Sequence, residues 1–156
     1  MENFCSEFIK DLGFFGKYPT NEELQILEDK GIDVIIDLTN SKENLPPYTF
    51  SKEKIHFPIE DRRVPQDNEN FRSLLNLIIV RLNEGHKVYI HCKGGHGRSG
   101  LLVALLLRLM YDYNAEKALS LTHEFHQQRK IIKPRFRKMG SPQTRSQKDF
   151  VKNFIV

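Results

Sequence analysis

The stretch Val88–Leu109, VYIHCKGGHGRSGLLVALLLRL, decides how the rest of the chain is read. A short β-branched and aromatic run ends in His91 and Cys92. Three glycines, Gly94, Gly95 and Gly97, follow, interleaved with Lys93, His96 and Arg98. After Ser99 the chain is apolar nearly all round to Tyr111, the pattern of a buried helix. The stretch is thus predicted to be a strand, a glycine-rich turn and a helix, with Cys92 at the carboxyl end of the strand.

Outward from this centre, strand-like and helix-like segments alternate. Thr20-x-x-Glu23 has the spacing of a capping box, opening a helix that stops at Gly31. IDVIIDL, Ile32 to Leu38, is a short run bounded by turn residues and reads as a buried strand. SKENLPPY is a loop, KIHFPI (Lys54 to Ile59) a second strand, and EDRRVPQDN (Glu60 to Asn68) a polar loop. Phe71, Leu74, Leu75, Ile78, Ile79 and Leu82 form a helical stripe that ends at Gly85. Asn114 is placed to cap a helix through about Arg129. Ser141-Pro142 reads as a cap followed by proline at the first helical position, opening a final helix. The pattern argues a compact single α/β domain over residues 1–156, with a mostly parallel twisted sheet flanked by helices. Ligands of such sheets bind beyond the carboxyl ends of the strands.

Composition agrees with one globular unit of 156 residues, 39% hydrophobic and 28% charged. The two cysteines, Cys5 and Cys92, are no disulfide framework, so a reducing compartment is expected. Met1 to Phe15 carries acidic residues without an apolar core, and Leu101 to Leu107 is too short to cross a bilayer. A cytoplasmic, monomeric protein with no membrane segment is expected, nuclear entry being open. The net charge is +4. Much of the excess lies in RKIIKPRFRK, Arg129 to Lys138, read as a solvated basic connector in preference to a docking face for an anionic partner.

The loop chemistry points to a bound phosphoryl group. A turn leading into a helix aims amides outward, and the helix dipole adds positive potential. Glycines let successive amides converge on one anion. Arg98, six residues after Cys92, can grip two oxygens of a tetrahedral oxyanion. Cations and helix N-termini also favour the thiolate, which is the nucleophile. These ingredients specify attack by Cys92 sulfur on phosphorus. Ser99 is placed to support the sulfur as it leaves, and His91 to brace the loop through its ring nitrogens. Lys93, Gly94, Gly95, His96 and Gly97 are the expected substrate-binding positions. No metal or cofactor is called for, because the arginine and the amides neutralise the charge.

Other readings of these letters are weaker. A nucleotide-binding loop needs Gly-Lys-Ser/Thr where Gly97-Arg98-Ser99 stands, and a glycine where Cys92 stands. A zinc site drawn from His86, His91, Cys92 and His96 lacks paired cysteines, and adjacent His-Cys ligands suit one tetrahedron poorly. A buried cysteine in a glycine turn would show this joint pattern at a frequency on the order of 10⁻⁵ per cysteine.

HCKGGHGRS resembles the His-Cys-x-x-Gly-x-x-Arg-Ser/Thr signature of cysteine-dependent protein tyrosine phosphatases, and element order and size resemble their dual-specificity branch. The resemblance implies hydrolysis of phosphotyrosine, and of phosphoserine and phosphothreonine, on phosphoprotein substrates through a phosphocysteine. The chain lacks the Lys-Asn-Arg-Tyr segment with which larger tyrosine-specific enzymes deepen the pocket. The family also implies an acid on a loop about thirty residues before the cysteine. Asp61 lies 31 positions before Cys92 and is the first choice, with Glu60 second. Gln143 and Gln147 resemble late glutamines that some relatives hold near the site, although surface positions at a helix start are favoured here. Cys5 is read as structural. Lys93 followed by His96 partly imitates the two lysines of phosphoinositide phosphatases, and RNA 5′-triphosphatases share the scaffold. Phosphoinositide and RNA are therefore the alternative substrates. A silent phosphate-binding module is the alternative of another class, disfavoured because Cys92, Arg98 and an acid are all present.

Overall fold

The computed structural model describes residues 3–156. Its centre is a five-stranded sheet in the order β1-β2-β5-β3-β4. The strands are β1 (Cys5–Ile9), β2 (Gly13–Gly16), β3 (Val34–Asp37), β4 (Glu53–His56) and β5 (Val88–His91). The β1–β2 hairpin is antiparallel; β2, β5, β3 and β4 run parallel. The carboxyl ends of four strands therefore emerge on one edge, at Gly16, His91, Asp37 and His56. The sequence pattern of the first sixteen residues is too short and too aromatic on both faces to announce this hairpin.

Alternation along the strands divides the core into two layers. Phe14, Ile35 and Tyr89 face α1 (Asn21–Asp29), whose Leu24 and Leu27 cover them. Phe15, Val34, Ile36, Val88 and Ile90 face the opposite way. They meet α2 (Asn68–Asn83) and α3 (Arg98–Tyr111), and α3 in turn packs on α4 (Ala115–His126) and α6 (Arg145–Asn153). A sheet covered on both faces is what the near-continuous apolar strands require. α3 is buried from Arg98 through Leu107. Thr20 and Glu23 form the expected capping box of α1, Asn114 caps α4, and Gly31 adopts a positive φ of 84°.

The strands expected over Ile32–Leu38 and Lys54–Ile59 are shorter, pairing over Val34–Asp37 and Glu53–His56, and two expected helix boundaries differ. The last helix starts after Thr144, not Ser141: Thr144 and Gln147 form a reciprocal capping box. The Ser141 hydroxyl is occupied instead by the carbonyl of His96. The helix after Asn114 ends at His126, three residues early, because the chain turns there to carry Arg129 inward.

Arg129 is the exception to the reading of Arg129–Lys138 as a solvated connector, most of which is exposed. Its guanidinium is buried, donating to Ser6 Oγ (2.9 Å) and the Phe15 carbonyl (3.2 Å), and it lies over the Phe15 ring. Burial lowers its pKa to about 10, Tyr89 and the two cysteines opposing. The segment also contains a short helix, α5 (Pro134–Met139). Among its cations Lys130, Lys133, Arg135 and Lys138 are exposed, and Arg137 is half-buried. Arg129→Ala is expected to cost about 2–3 kcal/mol, through two lost charge-assisted bonds and a stranded carbonyl. Lys130→Ala should stay within about 0.5 kcal/mol. Equal urea midpoints for the two variants would contradict this placement.

Candidate active site

The loop from Cys92 to Gly97 leaves β5 and enters α3, and its neighbours are the loops that leave the other parallel strands. The Tyr18 amide donates to the Lys93 carbonyl (3.0 Å), the Leu38 amide to His91 and the Ile59 amide to Leu38. Four loops are thus stitched together at one end of the sheet.

Cys92 is buried at the strand end. Its Sγ accepts from the Gly95 amide at 3.3 Å and lies 3.5 Å from Ser99 Oγ. Gly95 needs to be glycine twice over. Its φ is +78°, and a Cβ there would lie 2.3 Å from the Gly16 carbonyl carbon. Gly94 and Gly97 have no such φ. At Gly97 a Cβ would collide with the Gln147 amide, 2.7 Å away. Close approach, not a left-handed backbone, accounts for that glycine.

Arg98 is almost wholly enclosed, 1% exposed. Nη1 donates to the carbonyls of Leu38 (3.3 Å) and Ile59 (2.8 Å). Glu43 grips Nη1 at 2.5 Å and Nη2 at 3.1 Å, and Asp61 Oδ1 lies 3.3 Å from Nη2. Nε is buried without a partner among the described residues. Burial alone would lower the pKa of Arg98, but Glu43, Cys92 and Asp61 outweigh it and raise it above the ordinary arginine value.

Of the two loop carboxylates, Asp61 reaches Arg98 while remaining 58% exposed; Glu60 turns away to Lys42 (3.5 Å). Gln147 corrects the expectation of a surface position. It is fully buried, with Oε1 accepting from the Thr144 amide and Nε2 donating to the Arg63 carbonyl (3.1 Å). It ties α6 to the loop that carries Asp61. Gln143 is half-buried in the turn before α6.

His91 Nδ1 donates to the Cys92 carbonyl (3.1 Å), which leaves Nε2 to accept from Tyr48 Oη at 2.6 Å. His96 does not point outward as expected. Its ring stacks on Phe136 (4.3 Å), and its Nδ1 lies 2.8 Å from His126 Nε2. Burial, then the charge of Arg129, lowers its pKa to about 4. The cation that a second lysine would supply is therefore absent at this position. Lys93 is exposed. Cys5 lies in the other core layer, packed among Phe4, Phe14 and Tyr89.

Glu43 and Tyr48 escape a reading of the sequence alone, since SKENLPPY shows only loop character. One signal was available: Asn40-x-x-Glu43 has capping-box spacing, and it caps a single 3-10 turn, Ser41–Glu43, beside Arg98. Among the described residues no group of three or more His, Cys, Asp or Glu is gathered to hold a metal, and no helix is long and apolar enough to cross a membrane.

A thiol on a backbone amide, a buried arginine at the helix start and a carboxylate on the adjoining loop converge at one sheet edge. The family model described as dual specificity phosphatase, catalytic domain, matches residues 13–141. The chain belongs to that family. It is 46% identical over 122 residues to the tyrosine-phosphatase-type protein 197R of Invertebrate iridescent virus 6, covering 74% of this chain and 46% of the relative. It is 35% identical over 159 residues to the corresponding protein 067L of Invertebrate iridescent virus 3, covering 98% and 66%. The chain thus spans about half to two thirds of these relatives. Among solved structures, Tk-PTP in its active form superposes with a TM-score of 0.79 at 26% identity, covering 99% of this chain and 97% of that one.

Three site histidines resist protonation. His91 is lowered to about 4 by burial, then by Lys54 and Arg98, against Asp37 and the Cys92 carbonyl. His96 is lowered to about 4, and His126 to about 2 by burial and then Arg129. Released by unfolding, each returns toward 6.5. The unfolded chain then binds more protons below that value, so these groups contribute stability above pH 6.5 that is lost on acidification toward pH 4. The urea midpoint is expected to fall steadily across that window; a constant midpoint would contradict the burial of these rings.

Proposed function

We propose that the protein hydrolyses phosphate monoesters on phosphoproteins, at tyrosine and also at serine and threonine, through a phosphocysteine. The observation that carries this reading is the seating of Cys92 Sγ on the Gly95 amide with Arg98 locked beneath the same loop. A phosphate dianion entering the loop would find its amides, the helix N-terminus and the free Arg98 Nε–H. Sulfur attacks phosphorus, and the phosphorus–oxygen bond to the alcohol or phenol breaks in line. Asp61 gives its proton to the departing oxygen. In the second half, Asp61 takes a proton from water as the water oxygen attacks phosphorus. The sulfur–phosphorus bond breaks, and its electron pair returns to Cys92 as thiolate, 3.5 Å from the Ser99 hydroxyl.

Glu43 is a positioning residue in this scheme. It meets Arg98 through two oxygens and so fixes the plane of the guanidinium. His91 and Tyr48 hold the Cys92 carbonyl in the same sense.

The test is turnover of aryl phosphates with graded leaving groups in the presence of a chelator. Cys92→Ser should be inert, and Arg98→Lys nearly so, because an ammonium cannot meet both oxygens of Glu43 in a plane and still offer an N–H to the phosphate. Asp61→Asn should slow esters with poor leaving groups by about 10²–10⁴-fold and good ones much less, whereas Glu60→Gln should leave both unchanged. Residual turnover by Cys92→Ser would overturn the nucleophile, and leaving-group sensitivity in Glu60→Gln alone would overturn the acid.

A further inference from the structure

Beside the catalytic loop lies a cavity of about 540 Å³. Lys93, Gly94 and His96 form its near wall, and the segment 130–133 with Phe136 its far side. Among the described residues no carboxylate lines it. Lys17 is engaged by Glu23 at 2.5 Å. Lys93, Lys130 and Lys133 are exposed, and none of them pairs with a carboxylate among the described residues. The buried charge of Arg129 stands behind them. Such a cluster concentrates anions. The remaining wall, Phe4, Ile131 and Ile132, is apolar.

The hydrogen-bond chain through the wall fixes what His96 offers. Gln127 Nε2 donates to the Arg137 carbonyl (3.1 Å), which identifies it as the amide nitrogen. Its second hydrogen points to His126 Nδ1 at 3.2 Å, so that nitrogen accepts. The His126 proton is then on Nε2 and is donated to His96 Nδ1 at 2.8 Å. His96 must therefore carry its own proton on Nε2, on the ring edge that passes Gly94. Burial keeps both rings uncharged at neutral pH.

We propose that this cavity is a second anion subsite, which seats an acidic side chain of the phosphopeptide whose phosphate occupies the loop; Lys93, Lys130 and Lys133 supply its charge, and His96 Nε2–H its hydrogen bond. The inference rests on the phosphatase reading above. The apolar wall suits the aliphatic stem of a glutamate. A nucleobase finds no open aromatic face: His96 stacks on one side of Phe136, Arg135 covers the ring from 4.6 Å, and Phe4 is buried edge-on to Tyr89. A polyphosphorylated headgroup would want a cation where neutral His96 stands.

The experiment compares two phosphotyrosine peptides, one flanked by glutamates and one by glutamines at the same positions. Wild type and Lys130→Gln/Lys133→Gln are assayed, with a small aryl phosphate as control. Wild type should prefer the glutamate peptide about fivefold to tenfold at low salt, the size of two or three exposed charge pairs. The double variant should lose most of that preference while its rates on the aryl phosphate and the glutamine peptide are unchanged. Preference absent in wild type, or retained in the double variant, overturns the subsite. So does a loss confined to phosphoinositide vesicles or 5′-triphosphorylated RNA run in parallel. Should the aryl phosphate not turn over, the phosphatase reading fails by itself. Fluorescence anisotropy of both peptides on Cys92→Ser, with and without the two lysine substitutions, then reads the subsite independently: lysine-dependent preference supports it, and equal affinities overturn it.

Discussion

The buried guanidinium of Arg98 is the constraint around which the site is arranged. An arginine 1% exposed is stable only if its charge and its N–H groups are answered. The answers come from outside its own helix: the carbonyls of Leu38 and Ile59, the two oxygens of Glu43, and Asp61. Leu38 and Glu43 follow β3; Ile59 and Asp61 follow β4. Satisfying one side chain therefore fixes the loops beyond two neighbouring parallel strands against the loop beyond β5. Nε is the donor left over, and in the proposed mechanism it is the substrate that completes the set.

A second layer of restraint sits beneath the first. His91 joins Tyr48 to the Cys92 carbonyl, Gln147 joins α6 to the carbonyl of Arg63, and Ser141 holds the carbonyl of His96. Each contact uses a polar side chain in a buried place, where an unpaired partner would be costly. The loop is consequently positioned by sheet, helix α6 and the β3–β4 connection together, which is how a glycine-rich segment is held in one conformation.

Much of this was legible in the sequence because it is local. The strand–turn–helix around Cys92, the capping box at Thr20, the stripe from Phe71 to Leu82 and the parallel sheet all follow from periodicity and turn chemistry within short windows. The spacing of Cys92, Arg98 and Ser99 is local too. What escaped depends on distant partners. Glu43 looks like any loop carboxylate until Arg98, fifty-five residues away, is placed beside it. Arg129 looks like one more surface cation until Ser6 and the Phe15 carbonyl are brought to it. His96 and Gln147 were misjudged for the same reason, since their burial is decided by α4, α5 and α6 packing on the loop from outside. The β1–β2 hairpin escaped because four residues of GFFG carry no alternation to read.

The central claim is that Cys92 sulfur itself takes the phosphoryl group. A rapid acid quench of enzyme turning over an aryl phosphate, followed by mass spectrometry of the peptide containing Cys92, tests it most directly. The account predicts that this peptide gains the mass of one phosphoryl group, that Asp61→Asn shifts its amount by slowing the proton-transfer steps, and that Cys92→Ser shows none. Turnover without any phosphorylated Cys92 peptide, or with the label on another residue, would contradict it.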